Sequence, residues 1–176
     1  TGYQNVWVRD NIHIAHHFYV LGQPDRAVAA VAAMTRFFHT QRNKLRDIIT
    51  GKADPQNVML RPHIRFDGVK LAELTETWSH AQNDAIGYWL WLGSTLAREG
   101  HWQPMADDIK LLSNFVQYLE AIRFWEDEDS GHWEEARKVE ASSIGVATAG
   151  LIAVREYFAT MASAQMPLGA TKSFVD

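Results

Sequence analysis

Cysteine is absent from the 176 residues. That excludes disulfides and thiolate metal sites and fits a reducing compartment, so the cytoplasm is the expected location. No apolar run reaches the length of a membrane span, and no membrane partner is expected. No glycine-rich phosphate loop occurs, and no alternation of strand and helix of the βαβ kind. Basic residues do not cluster: 17 Lys and Arg stand against 21 Asp and Glu, a net charge of −4, which argues against a nucleic-acid partner. The opening Thr-Gly-Tyr-Gln has no signal-peptide character. Both ends read as cut from a longer protein, the closing Lys-Ser-Phe-Val-Asp as the beginning of a helix.

What is present is ordinary in bulk, 47% hydrophobic and 22% charged, and long enough to bury a core. The unusual number is seven Trp. An indole face suits sugar rings, cations or partner surfaces, and also serves as plain core.

Apolar spacing predicts five helices and the start of a sixth. The first runs from a cap at Asp10 or Asn11 to about Leu21. The second, about 24 to 50, carries Val28, Val31, Thr35, Phe38, Leu45 and Ile49 on one side, and Arg26, Arg36, Arg42 and Lys44 on the other. Residues 51 to 80 lack helical period and hold a short hairpin with a two-residue turn at Asp67-Gly68. The third helix spans about 82 to 98. The fourth spans about 105 to 124, with Pro104 suited to its first turn. The fifth, about 143 to 163, is capped by Ser142 or Ser143, and its first half is so small and uncharged that it belongs inside. Met166-Pro167-Leu168-Gly169 reads as a linker before a sixth helix near Thr171. The pattern is all-α, with helices 1, 3 and 5 inner and helices 2 and 4 outer.

Three tryptophan-bearing stretches fall just before the inner helices: Val6 to Asn11, Thr77 to Asp84, and His132-Trp133-Glu134-Glu135. In a ring of helical hairpins that gathers Arg9, Asp10, Trp78 and Glu134 at one mouth. A carboxyl beside an indole can be desolvated enough to hold its proton near neutral pH, which is what a general acid needs. Glu134 is the candidate acid, and Glu135 either tunes it or binds sugar hydroxyls. The acidic run Glu126 to Asp129 reads as a solvated charge run, and Asp84 as structural.

The stretches Tyr3-Gln4-Asn5-Val6-Trp7-Val8-Arg9-Asp10, Trp78 to Asp84, and His132 to Glu135 followed by Ala141-Ser142-Ser143 resemble, in order and spacing, the motifs of glycoside hydrolase family 15, the family of the glucoamylases. Their form is most similar to the branch of the phosphorylase kinase α and β subunits and its bacterial relatives. The resemblance implies an (α/α)6 toroid, of which this chain would be roughly the N-terminal half. It also implies inverting hydrolysis of α-glucosidic bonds in α-glucans or oligosaccharides from the non-reducing end. Residue by residue, Glu134 matches the general acid, and Arg9 and Asp10 the pair that grips the terminal glucose. Trp78, followed by Gln82, matches the aromatic at the pocket mouth, and Trp7 and Trp133 its walls. The general base would lie in a missing second half. The rest of the chain, or a partner, would have to cover the open inner wall.

Two other readings compete. His13, His16 and His17 sit at helical spacing, and His63 or His80 could join them on a metal, but no fixed partner is evident. The expectation is therefore no metal and no cofactor. A glucan-sensing or regulatory module could keep the pocket without the chemistry.

Overall fold

Three- and four-residue apolar spacing does fold as helix throughout. The computed structural model describes residues 4–161. It contains α1 (Val8–Val20), α2 (Pro24–Thr40), α3 (Arg42–Ile49), α4 (Asn83–Arg98), α5 (Ala106–Ala121) and α6 (Ala141–Thr160). Three short strands, β1 (Asn5–Trp7), β2 (Arg65–Asp67) and β3 (Ala72–Glu73), form one antiparallel sheet, and β4 (Glu128–Asp129) pairs with β5 (Lys138–Val139) in a second. The linker at 166–169, the helix near Thr171 and the expected last residues of the fifth helix lie outside the described residues.

Helix α4 is the centre of the array. It is buried along most of its length, from Asn83 to Ala97. On one side α2 and α5 cover it through aromatic packing. The Phe38 ring lies 4.7 Å from Trp89 and 4.8 Å from Phe115, and the Trp89 indole donates to Thr35 Oγ1 at 3.3 Å. Each such side chain removed from water contributes about 1.5–3 kcal/mol. On its other side α4 meets α6 with no side chain between the backbones. A Cβ on Gly87 would stand 2.7 Å from the Val146 carbonyl oxygen, and one on Gly150 would stand 2.6 Å from the Gly87 carbonyl oxygen. The small-residue half of α6 is therefore a contact device, as its composition implied. Its opposite face, at Ser142, Gly145, Ala149 and Ile152, is exposed among the described residues.

Several boundaries move. Helix α1 begins at Val8, with Trp7 extended ahead of it, so neither Asp10 nor Asn11 caps it; the Asn11 amide instead donates to the Trp7 carbonyl at 2.9 Å. The long second helix is two, broken at Gln41. The Gln41 side chain is buried, and its Oε1 accepts the His63 backbone N–H at 3.1 Å. Local periodicity cannot register a break made by a partner 22 residues away. Pro104 precedes α5, whose N-cap is Met105; the Asp108 carboxylate accepts the Met105 N–H at 2.9 Å. Ser142 and Ser143 lie inside the first turn of α6, not at its cap.

The hairpin is present with a wider turn. Asp67 pairs with Ala72, so residues 68 to 71 make the bend. Asp67 Oδ1 accepts the Val69 and Lys70 N–H groups, both at 2.9 Å, a side-chain-stabilised turn. Gly68 is required there because β1 passes so close that a Cβ would stand 2.6 Å from Val6 Cγ2. Strand β1, paired with β2, ties the Trp7 motif to the Arg65 segment.

Candidate active site

The N-terminal ends of α1 and α4 and the β4–β5 hairpin meet at one end of the array. Their meeting is fixed by buried charge. Arg61 is fully buried and forms a two-pronged ion pair with Asp127 at 2.7 and 2.6 Å, while its Nε donates to the Pro55 carbonyl at 2.7 Å. The Asn83 amide also donates to Asp127, at 2.9 Å, and the Asn83 N–H donates to Asp129 Oδ2 at 2.9 Å. Ser130 closes the seam: its N–H reaches the Ala81 carbonyl at 2.8 Å, and its hydroxyl accepts from Ser79 at 2.7 Å.

The acidic run is thus not simply solvated. Asp127 and Asp129 are buried while Glu126 and Glu128 are exposed. Glu126 lies in the turn after α5, Asp127 is drawn inward by Arg61, and in extended β4 the successive side chains of Glu128 and Asp129 point to opposite sides. Burial pushes the Asp129 carboxyl up to about 6, against the hydrogen bond from Asn83 that pulls it down.

At the hairpin tip, Gly131 and Glu134 both take left-handed backbone, φ 58° and 57°. For a glutamate that conformation costs about 1 kcal/mol or more. The Glu135 N–H holds it in place by bonding the Ser130 carbonyl at 3.0 Å. The Glu134 carboxylate is half-buried. Its Oε1 accepts from Gln82 Nε2 at 3.3 Å and lies 4.0 Å from Arg9 Nη2. Arg9, 5% exposed, donates through Nη1 to Gln82 at 2.8 Å and to Asp84 at 3.0 Å. Arg9 therefore pairs with Asp84 across 75 residues, not with its neighbour Asp10.

Beside this corner is a cavity of about 480 Å³ lined by Val58, Thr77, Trp78, Ser79, Glu134 and Arg137. Glu134 is the one carboxylate among those lining residues. Arg65 lies over the Trp78 indole at 3.9 Å and over that of Trp7 at 5.0 Å, and the two indoles meet edge-on at 6.4 Å. Such cation–aromatic contacts contribute about 0.5–2 kcal/mol each and fix the ring planes. Trp7 therefore backs the mouth and does not line it.

The remaining candidates fall elsewhere. Asp10 is exposed, and its side chain has no hydrogen-bond or ion-pair partner among the described residues. Glu135 is exposed and pairs with Lys138 at 3.2 Å. Trp133 is 81% exposed, edge-on to His132, and is not a wall of the cavity. The shielding of Glu134 by the neighbouring indole does not occur, because the left-handed turn that brings Glu134 inward leaves residue 133 pointing to solvent.

Among the described residues no group of three or more His, Asp or Glu side chains is arranged to hold a metal. His63 and His80 instead stack at 3.6 Å, buried, and burial lowers both, His80 to about 3. His132 stands 3.8 Å from Asp84 and 6.2 Å, ring to ring, from His13. Sequence reasoning missed Arg61, Arg65 and Arg137, which sit in the stretch without helical period or in the hairpin and carry no motif of their own.

Comparison with known proteins agrees with this architecture. An uncharacterized lipoprotein, YgeQ of Escherichia coli strain K12, is 28% identical over 74% of this chain and 56% of its own length. The chain thus spans little more than half of that relative. The fold is the all-α, glucoamylase-like one. The model of the glycosyl hydrolases family 15 matches residues 1–173, and the chain belongs to that family.

Proposed function

We propose that this chain carries the acid half of an inverting glycosidase acting on α-glucosidic bonds at the non-reducing end of α-glucans or oligosaccharides. Glu134 protonates the leaving oxygen. Arg9 and Gln82 hold the carboxyl and reach sugar hydroxyls, and Trp78 presents the edge of the mouth. The supporting observation is that one residue from each of the three motifs, Arg9, Gln82 and Glu134, joins in a single hydrogen-bonded corner beside a cavity. An inverting mechanism needs a second carboxylate about 6.5–9.5 Å from the acid, with room for water between them. On this reading the base, and the cover for the exposed small-residue face of α6, would come from the rest of the protein or from a partner.

The test is glucose release from maltooligosaccharides by the full-length protein. Glu134→Gln should lower the rate on the order of 10²–10⁴-fold with little change in oligosaccharide binding. Equal rates for the two proteins would remove Glu134 from the role.

Two observations favour a second reading, a glucan-sensing module of the phosphorylase kinase-like kind. Arg65 already covers a face of Trp78, and Arg9 is already engaged by Asp84. Oligosaccharide binding without glucose release by the full-length protein would select it.

A further inference from the structure

The break at Gln41 has a second effect. It turns α3 so that Arg42, Arg46 and Thr50 share a groove with Lys110, Asn114 and Gln117 of α5, a cavity of about 390 Å³ on the outer side of the array. Arg42 at the start of α3 donates to the Asp107 carbonyl at the start of α5, at 2.9 Å, so the two stripes run side by side in the same direction. The groove is consequently graded. Arg42, Arg46 and Lys110 occupy one end, and the neutral hydrogen-bonding groups of Thr50, Asn114 and Gln117 the other.

The charged end is poorly compensated. Arg42 and Arg46 are one turn apart, a like-charge spacing that costs a few tenths of a kcal/mol, and Lys110 adds a third cation across the groove. The nearest carboxylate is that of Asp107, 3.8 Å from Arg42 and largely in solvent. Arg46 reaches only the Asn43 side chain, Lys110 has no hydrogen-bond or ion-pair partner among the described residues, and the Arg42 Nε is buried without one. Elsewhere most cations are matched: Lys44 with Glu73, Lys52 with Asp47, Arg98 with Glu156, Arg123 with Glu126, Lys138 with Glu135 and Glu140. Guanidinium groups beside an ammonium make strong charge-assisted bonds to phosphate oxygens, and amide and hydroxyl side chains complement sugar hydroxyls.

We infer that this groove between α3 and α5 binds a small phosphorylated sugar, phosphate toward Arg42, Arg46 and Lys110 and hydroxyls toward Asn114 and Gln117, at a site separate from the cavity of Glu134. The experiment is calorimetric titration of the full-length protein with glucose 6-phosphate, inorganic phosphate, glucose and a duplex RNA. It is repeated on Arg46→Ala/Lys110→Ala, both exposed positions, and on Glu134→Gln. Glucose 6-phosphate should bind at least about tenfold tighter than inorganic phosphate and lose about tenfold or more in the double variant, with Glu134→Gln unchanged. Four results would overturn the site. These are no saturable binding, equal affinity for inorganic phosphate (an adventitious anion only), binding lost in Glu134→Gln and kept in the double variant, or binding by the RNA alone. None of them depends on whether the protein cleaves glucans.

Discussion

Two of the contacts that helix α4 makes do different work. Along its length it touches α6 backbone to backbone at Gly87 and Gly150, with no charge involved. At its N-terminal end it touches the segment that leads into the β4–β5 hairpin through Asn83, and both of the Asn83 bonds there go to buried carboxylates. The seam sets a distance, because only an absent side chain allows that approach. The polar end sets a direction, because hydrogen bonds to Asp127 and Asp129 leave the hairpin one way to leave the helix end, and that orientation carries Glu134 to Arg9 and Gln82. Tight apolar packing locates the element; directional polar bonds aim the side chain.

The largest break of this comparison is at the polar end. Asp127→Ala leaves the Arg61 guanidinium buried and unpaired, and should cost about 3–5 kcal/mol in chemical denaturation. Replacing both partners together, Arg61→Met with Asp127→Leu, should recover much of that stability. If direction is what the pair supplies, the double variant should fold yet leave Glu134 misaimed, with glucose release still reduced.

Asp129 sharpens the same point through pH. Its carboxyl sits at about 6 in the fold against about 3.8 unfolded, so the folded state holds the proton more tightly. The stability this confers is fully present below about 3.8 and is lost as pH rises to about 6, a swing of at most about 3 kcal/mol. The stability difference between wild type and Asp129→Asn should therefore fall across that window and level off above it. A difference that is flat from pH 4 to 7 would mean the carboxyl is not held in a dry site.

At the seam, Gly87→Ala puts a methyl 2.7 Å from the Val146 carbonyl and should cost about 1–3 kcal/mol, with a lower Tm. It should shift α6 as a body and leave the hairpin bonds in place. Loss of activity out of proportion to loss of stability would show that the seam also aims the acid.

These contacts also explain what the sequence disclosed. Helix order, the inner role of the small-residue helix and the approach of the three motifs follow from periodicity and composition, which act within one turn or one strand. The break at Gln41, the burial of Asp127 and the cover of Arg65 on Trp78 come from partners 22, 66 and 13 residues away, and no local pattern encodes them. A run of four acids looks solvated until the two-residue strand that buries Asp129 and the remote arginine that buries Asp127 are both known.

The smallest effect separates two tryptophans that look alike in sequence. Trp78 is packed under Arg65 and lines the cavity; Trp133, one residue from the acid, stands 81% in solvent. Trp133→Ala should change stability by no more than about 0.5 kcal/mol, whereas Trp78→Ala should cost about 2 kcal/mol through lost burial and the cation contact. If Trp133→Ala nonetheless raises KM for oligosaccharides with kcat unchanged, the exposed indole meets substrate from outside the cavity, as a platform for sugar units beyond the cleavage point. If neither constant moves, its place beside Glu134 follows from the turn alone, which must leave residue 133 outward in order to bring residue 134 in.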